Sequence, residues 1–109
     1  MSSQLPKVIA SYVEAYNSRD EKAALAGFSD SAVVQDEGKD HRGRKAIGEW
    51  IHETISKYQP RLTPDRAEVA DAETVVAMTV SGNFPGSPVT LGFHFKLERD
   101  RISALNIVA

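Results

Sequence analysis

The sequence contains no cysteine, so disulfide bonds and thiolate metal sites are excluded. No stretch approaches the roughly 20 consecutive apolar residues of a membrane-spanning helix. The first residues, MSSQLPKVIA, contain no basic segment followed by a long apolar run, so no secretory signal is visible. From these absences we expect a cytoplasmic protein with no membrane partner.

An excess of positive charge is also lacking. Thirteen lysines and arginines stand against 15 aspartates and glutamates, which gives a formal net charge of −2. Nucleic-acid binding needs a basic patch or stripe, and the basic residues of segment 36–45 alternate with acids as in a solvated loop. The three histidines do not have metal-ligand spacing, and no phosphate-binding glycine loop occurs. We therefore expect no nucleic-acid partner, no metal and no cofactor.

Three helices are predicted in the first half of the chain. Apolar residues recur at helical spacing over residues 5–16 and again from Arg44 to about Tyr58. A short helix is expected between them, from about residue 19 or 20 to Gly27, with Ser18 at the start of a capping box. Pro60 ends the third helix and carries the chain into extended structure.

Strands are predicted mainly in the second half. A short strand at residues 32–36 and a loop at 38–43 precede the third helix. Four further strands follow, at 67–70, 74–81, 89–98 and 102–108. Their short connections favour antiparallel neighbours. The 109 residues fit one α+β domain, with three N-terminal helices packed on one face of a curved, mostly antiparallel sheet, and the open end of such a cone is a natural small-molecule pocket.

An acid at the end of an otherwise apolar strand is the first candidate site residue. If Asp36 faces the pocket, strand alternation places Val34 on the same face. Tyr12 lies on the apolar stripe of the first helix and therefore faces the sheet. The alternative is that Asp36 is an exposed strand end that forms a salt bridge with Arg42 or Arg44.

The strand at residues 89–98 has two different faces, and the sequence leaves open which of them points inward. One face carries Phe93 and Phe95, and the other carries Gly92 and His94. The aromatic face could form the core, which would leave His94 outside. It could instead pack on another subunit, with His94 lining the cavity. Gly92 favours the second arrangement, because a missing side chain leaves space for a ligand.

The segments SYVEAYN, AVVQDEGK and HRGRKAIGEW resemble the NTF2-like superfamily, in particular its SnoaL-like and ketosteroid-isomerase-like branch. The resemblance covers essentially the whole chain and implies the conical α+β fold. This fold carries several unrelated functions, so the resemblance is more specific for architecture than for activity.

By position, the resemblance assigns three catalytic roles. Asp36 falls where the steroid isomerases keep a proton-shuttling carboxylate, and Tyr12 falls where they keep a tyrosine that donates to the enolate oxygen. His94 falls where they keep a protonated aspartic acid as the second donor, so this position departs from the family pattern. The expected walls of the pocket are Val34, Trp50, Met78, Leu105 and Ile107.

These residues leave three functions open. The first is a cofactor-independent enzyme that moves a proton on a small apolar carbonyl compound, in an isomerisation, an aldol cyclisation or a dehydration. The second is a module that binds a small apolar ligand without turnover. The third is a structural dimer in which the outer sheet face, taken to carry Phe93 and Phe95, mates with a second copy; a homodimer is compatible with all three.

Overall fold

In a computed structural model of the chain, residues 5–70 and 72–109 are described. Within them the chain forms three helices and six strands in one sheet. In chain order these are α1 (Lys7–Asn17), α2 (Glu21–Ala26), β1 (Phe28–Asp36), β2 (Lys39–Arg42), α3 (Gly43–Tyr58), β3 (Arg61–Ala70), β4 (Glu73–Ser81), β5 (Val89–Glu98) and β6 (Arg101–Val108). Asp71, in one of the expected turns, lies outside the described residues.

The sheet has the strand order β2-β1-β6-β5-β4-β3. All neighbours are antiparallel except β1 and β6, which run parallel. Register shifts interrupt three of the pairings, and such bulges bend a strand and increase its twist. The four last strands form the expected antiparallel meander, and the predicted α+β class is confirmed.

The helices cover one face of this sheet because their apolar stripes point toward it. Ile9 and Tyr12 of α1 and Ile47 and Ile51 of α3 are at most 2% exposed. Their spacing of three or four residues places them on one side of each helix. The core therefore lies between α1, α3 and the inner face of the sheet.

The orientation of β5 settles which of its faces is inside. Phe93 and Phe95 are 3% and 0% exposed, and the Phe95 ring lies 6.1 Å from the Tyr12 ring in an edge-on contact. The suggestion that these phenylalanines form an outer sheet face is therefore wrong. Gly92 opens no ligand space: a Cβ added there would lie 3.3 Å from His94 Nε2, so the glycine accommodates the histidine ring.

Two local predictions need correction. The expected loop at residues 38–43 contains strand β2, which pairs with β1 through a tight turn at Glu37 and Gly38, both with positive φ. The cap of α2 is Asp20 and not Ser18. The Asp20 carboxylate accepts the Ala23 N–H at 3.1 Å.

A side-chain clamp joins the end of α1 to the start of β3. The Asn17 amide group donates to the carbonyl of Leu62 at 2.8 Å, and its oxygen accepts the Leu62 N–H at the same distance. Asn17 thus pairs with the outer strand as a neighbouring strand would. This clamp fixes the distance between α1 and β3 at the open end of the sheet.

Candidate functional site

A cavity of about 310 Å³ lies between the helices and the inner sheet face, at the end where β1 and β6 finish and β5 begins. Its volume is at the lower end of the roughly 300–1,000 Å³ of small-molecule sites. The strands contribute apolar side chains, among them Leu62, Val80, Leu91, Phe93 and Ile107.

Four of the residues singled out in the sequence meet at this cavity. Asp36, Tyr12, Trp50 and Ile107 all line it. They come from four elements, β1, α1, α3 and β6, so the fold brings together residues that are far apart in the chain.

Three expected wall residues lie elsewhere. Val34, Met78 and Leu105 are on the inner sheet face, as alternation requires, but each is 0% exposed and none belongs to the cavity lining. They pack in the solid part of the core beneath the helices. Their predicted place in the cavity wall is therefore corrected: these three residues pack in the core.

His94 lies on the outer face of the sheet, away from the cavity. It is half-buried, and its Nδ1 lies 3.1 Å from Glu73 Oε1 on the neighbouring strand β4. The physical reason is the burial of Phe93 and Phe95 inside, because strand alternation then turns His94 outward. The structure does not bring His94 together with Asp36 and Tyr12.

Asp36 reaches the cavity because it ends β1 two positions after the inward-facing Val34. Its Oδ2 accepts a hydrogen bond of 3.1 Å from the indole Nε1–H of Trp50. The alternative salt bridge is not formed, because Arg42 pairs with Asp40 at 3.1 Å and Arg44 donates to the Phe28 carbonyl at 2.7 Å. The carboxylate is half-buried and held by one neutral donor.

Tyr12 is a protonated phenol at the inner end of the cavity. Burial, followed by the charges of Tyr16 and Asp36, raises the pKa of Tyr12 well above its ordinary value. Within the described ranges, the structure records no hydrogen-bond partner for the Tyr12 hydroxyl. Every fully buried side-chain oxygen or nitrogen in those ranges has a partner, so this hydroxyl is not fully buried. The hydroxyl therefore reaches the cavity surface, where it is available to a ligand.

Tyr16 and Thr54 form a second polar group in the lining. The Thr54 hydroxyl donates to the Ile51 carbonyl at 3.1 Å, so the Tyr16 hydroxyl donates to Thr54 Oγ1 at 2.8 Å. Burial is the main reason that the pKa of Tyr16 rises to about 12. Since its proton is engaged, Tyr16 offers a ligand an acceptor and Tyr12 offers a donor.

Sequence reasoning missed several lining residues. Tyr16 lies four residues after Tyr12 on the same helical stripe, and this spacing could have identified it. Tyr58 and Phe84 could not be found in this way, because they come from a helix end and a loop. Their rings meet edge-on, 5.9 Å apart, at the mouth of the cavity.

Two structural features are absent from the described part of the chain. No three His, Asp or Glu side chains there are grouped so as to hold a metal ion. None of the helices in those residues has the length and apolar character needed to cross a membrane.

Comparisons with known proteins identify the family. A sequence profile described as the SnoaL-like domain matches residues 9–105. Comparison with curated proteins finds no match. A crystal structure from Sinorhizobium meliloti, of a protein provisionally assigned as a polyketide cyclase, is 36% identical, with 94% of each chain covered and a TM-score of 0.91.

More distant structures share the fold. A protein from Catenulispora acidiphila with a ketosteroid isomerase-like fold, solved in complex with trimethylamine, is 16% identical with a TM-score of 0.84, covering 97% of this chain and 87% of its own. A protein from Xanthomonas campestris, also provisionally assigned as a polyketide cyclase, is 19% identical with a TM-score of 0.80, covering 93% and 86%. At these identities the likeness concerns the fold alone. The chain belongs to the SnoaL-like family and has the NTF2-like fold.

Proposed function

We propose that the protein catalyses cofactor-independent proton transfer on a small apolar carbonyl compound. The observation that carries this proposal is the meeting of a carboxylate and a protonated phenol, Asp36 and Tyr12, in one apolar cavity. Removal of a proton next to a carbonyl needs a base near the carbon and a donor near the oxygen. The provisional assignment of the Sinorhizobium relative as a polyketide cyclase supports a carbonyl substrate.

In the proposed reaction the Asp36 carboxylate takes a proton from the carbon next to the carbonyl. The electron pair of the C–H bond forms a C=C bond, and the carbonyl π pair moves to the oxygen. The Tyr12 hydroxyl donates to that oxygen as its charge develops. In a substrate with a neighbouring C=C bond, Asp36 returns the proton to the far carbon of the dienolate, the double bonds shift and the carbonyl re-forms, which completes an isomerisation. In a substrate with a second carbonyl, the enolate carbon attacks that carbonyl, its π pair moves to its oxygen, and Asp36 returns the proton to this oxygen, which completes an aldol cyclisation.

Trp50 has a positioning role in this proposal. Its indole N–H holds Oδ2 of Asp36 at 3.1 Å, which leaves Oδ1 for the substrate. The indole ring lies 5.9 Å from the His41 ring on the other side, so its plane is itself fixed by packing. A base held in one orientation does not need to reorganise before it accepts the proton.

The experiment is deuterium exchange into small cyclic ketones, such as cyclohexanone, followed by proton NMR in D₂O. Wild-type protein is expected to accelerate exchange of the protons next to the carbonyl. Asp36→Asn is expected to lose about 10²–10⁴-fold of that acceleration, and Tyr12→Phe about 10²-fold or more. Asp30→Asn, in an exposed position of the same strand, is the matched control and should keep it.

A non-catalytic binding module is the second candidate. The observation in its favour is the position of His94 on the outer face, because one of the two expected donors, Tyr12 and His94, is then absent from the cavity lining. The same ketones would then bind without exchange. Equal exchange rates in wild type and Asp36→Asn would contradict proton transfer by Asp36 and would favour this alternative.

We also propose a homodimer formed through the outer face of the sheet. Small residues occupy central positions of this face, including Ala77 on β4 and Gly92 on β5, which pair with each other. Val108 on β6 is 39% exposed beside them. A second copy of the same face would cover these residues.

A further inference from the structure

Every formal charge on the cavity lining is negative. Asp36 and Glu37 line it, and no lysine, arginine or histidine is among its lining residues. The ion pairs recorded in residues 5–70 and 72–109 join other groups, so the Asp36 carboxylate has no cationic partner there. Its one recorded side-chain partner is the neutral indole of Trp50.

Basic side chains lie around the cavity without lining it: Arg19 donates to the carbonyl of the lining residue Pro60, and its charge acts on Tyr16, whose pKa it lowers against the larger effect of burial. Lys39 and Lys57 line a smaller hollow of about 150 Å³ that adjoins the cavity and shares Asp36 and Trp50 with it. The Lys57 ammonium lies 5.2 Å from the centre of the Tyr58 ring. None of these basic groups is among the residues that line the cavity.

This arrangement sets a condition on any ligand. A molecule that fills the cavity removes water from the half-buried carboxylate of Asp36. Loss of water around a carboxylate is unfavourable unless an opposite charge or hydrogen bonds replace it. An anion would add repulsion, and an uncharged apolar ligand would leave the charge uncompensated. A cation compensates it directly.

The walls of the cavity also suit a cation. Six of the eight aromatic residues in the chain line the cavity: Tyr12, Tyr16, Trp50, Tyr58, Phe84 and Phe93. The faces of tryptophan, tyrosine and phenylalanine rings attract ammonium groups, most strongly where water is excluded. Tyr12 is only 2% exposed, yet its hydroxyl has no recorded hydrogen-bond partner and reaches the cavity surface. A ligand in the cavity would supply the missing partner.

We propose that the cavity binds a small apolar cation, a tertiary or quaternary ammonium group, with the positive charge beside Asp36 and the alkyl substituents against the aromatic wall. Binding of such a cation is separate from the proposed proton transfer. It requires the cavity and the negative charge of Asp36, and it does not require the reaction. A carbonyl substrate meets the same condition in another way, because proton transfer moves the negative charge from Asp36 to the substrate oxygen, which accepts a hydrogen bond from the Tyr12 hydroxyl.

The test compares choline with 3,3-dimethylbutan-1-ol, which has the same shape with carbon in place of the charged nitrogen. Binding is measured by calorimetry on the intact wild-type chain. Choline is expected to bind about tenfold or more tightly than the alcohol, since the two differ only in charge. This comparison needs no variant, so it remains valid even if substitution at Asp36 disturbs folding.

Asp36→Asn identifies the group responsible. It is expected to lower the affinity for choline about tenfold and to leave the affinity for the alcohol unchanged, while Asp30→Asn changes neither. Equal affinities of wild type for the two ligands, binding of neither, or a choline affinity that Asp36→Asn leaves unchanged would each overturn the proposal. Deuterium exchange into ketones fails or succeeds independently of these results, so the two proposals can be told apart.

Discussion

Ionisation of Tyr16 should limit the stability of the protein at alkaline pH. Its phenol is 4% exposed, and the pKa of Tyr16 is about 12 in the folded protein against an ordinary value of 10.0. Because the folded state holds the proton more tightly than the unfolded state, the stabilisation is fully present below pH 10. It is lost as the pH rises from 10 to about 12.

The size of the effect follows from the two pKa values. The complete difference corresponds to about 3 kcal/mol of unfolding free energy. About 1.4 kcal/mol of this should be lost by pH ~11, halfway between the two values. Tyr12 adds a loss in the same direction, because burial also raises the pKa of Tyr12.

Urea unfolding at pH 8 and at pH 11 measures this loss, with Tyr16→Phe as the comparison. The variant lacks the hydrogen bond to Thr54, which lowers its stability at both pH values. Its additional loss at high pH should be about 1.4 kcal/mol smaller than that of wild type. An identical loss in the two proteins would refute the account of Tyr16 as a buried, protonated phenol.

Three further predictions concern the stability of the fold and the proposed dimer. Asn17→Ala leaves the N–H and carbonyl of Leu62 unpaired and should cost about 2–3 kcal/mol in urea unfolding, and Asn17→Asp should not rescue it, because a carboxylate oxygen would then face the Leu62 carbonyl oxygen; unchanged stability of Asn17→Ala would contradict the clamp. Gly82→Ala should cost about 1–3 kcal/mol by calorimetry, because its Cβ would lie 2.7 Å from the backbone oxygen of Tyr58; unchanged stability would contradict the contact. Ala77→Lys should convert the proposed dimer to a monomer in light scattering, with Ala77→Ser as a control that stays dimeric.

The parts of the site that follow from periodicity could be predicted from the sequence. The helical stripe places Tyr12 against the sheet, and alternation along β1 places Asp36 on the same side as Val34. These positions depend only on local geometry within one element. For this reason both residues were identified, and both line the cavity.

The parts that depend on how elements pack could not be predicted in this way. Alternation separates Phe93 from His94, but it does not say which of the two faces the helices cover. It places Met78 and Leu105 on the inner face, but it does not say where the solid core ends and the cavity begins. The boundary between core and cavity depends on how all the helices pack on the sheet, which is a property of the whole fold.

The short strand β2 was missed for a different reason. All four of its residues, Lys39–Arg42, are polar or charged, as is usual for a strand at the edge of a sheet. Its pairing with β1 is set by the tight turn at Glu37 and Gly38 and not by an apolar pattern. Composition alone therefore indicated a loop.

The central claim is that Asp36 and Trp50 face a cavity that a ligand can enter. Trp50 is the only tryptophan in the chain, so proton–nitrogen NMR shows a single indole N–H signal, and this N–H is the one bonded to Asp36. Titration with choline and with cyclohexanone should move that signal in a saturable way, and Asp36→Asn alone should move it without ligand. A signal that stays in place with both ligands, while the protein remains folded, would contradict the account.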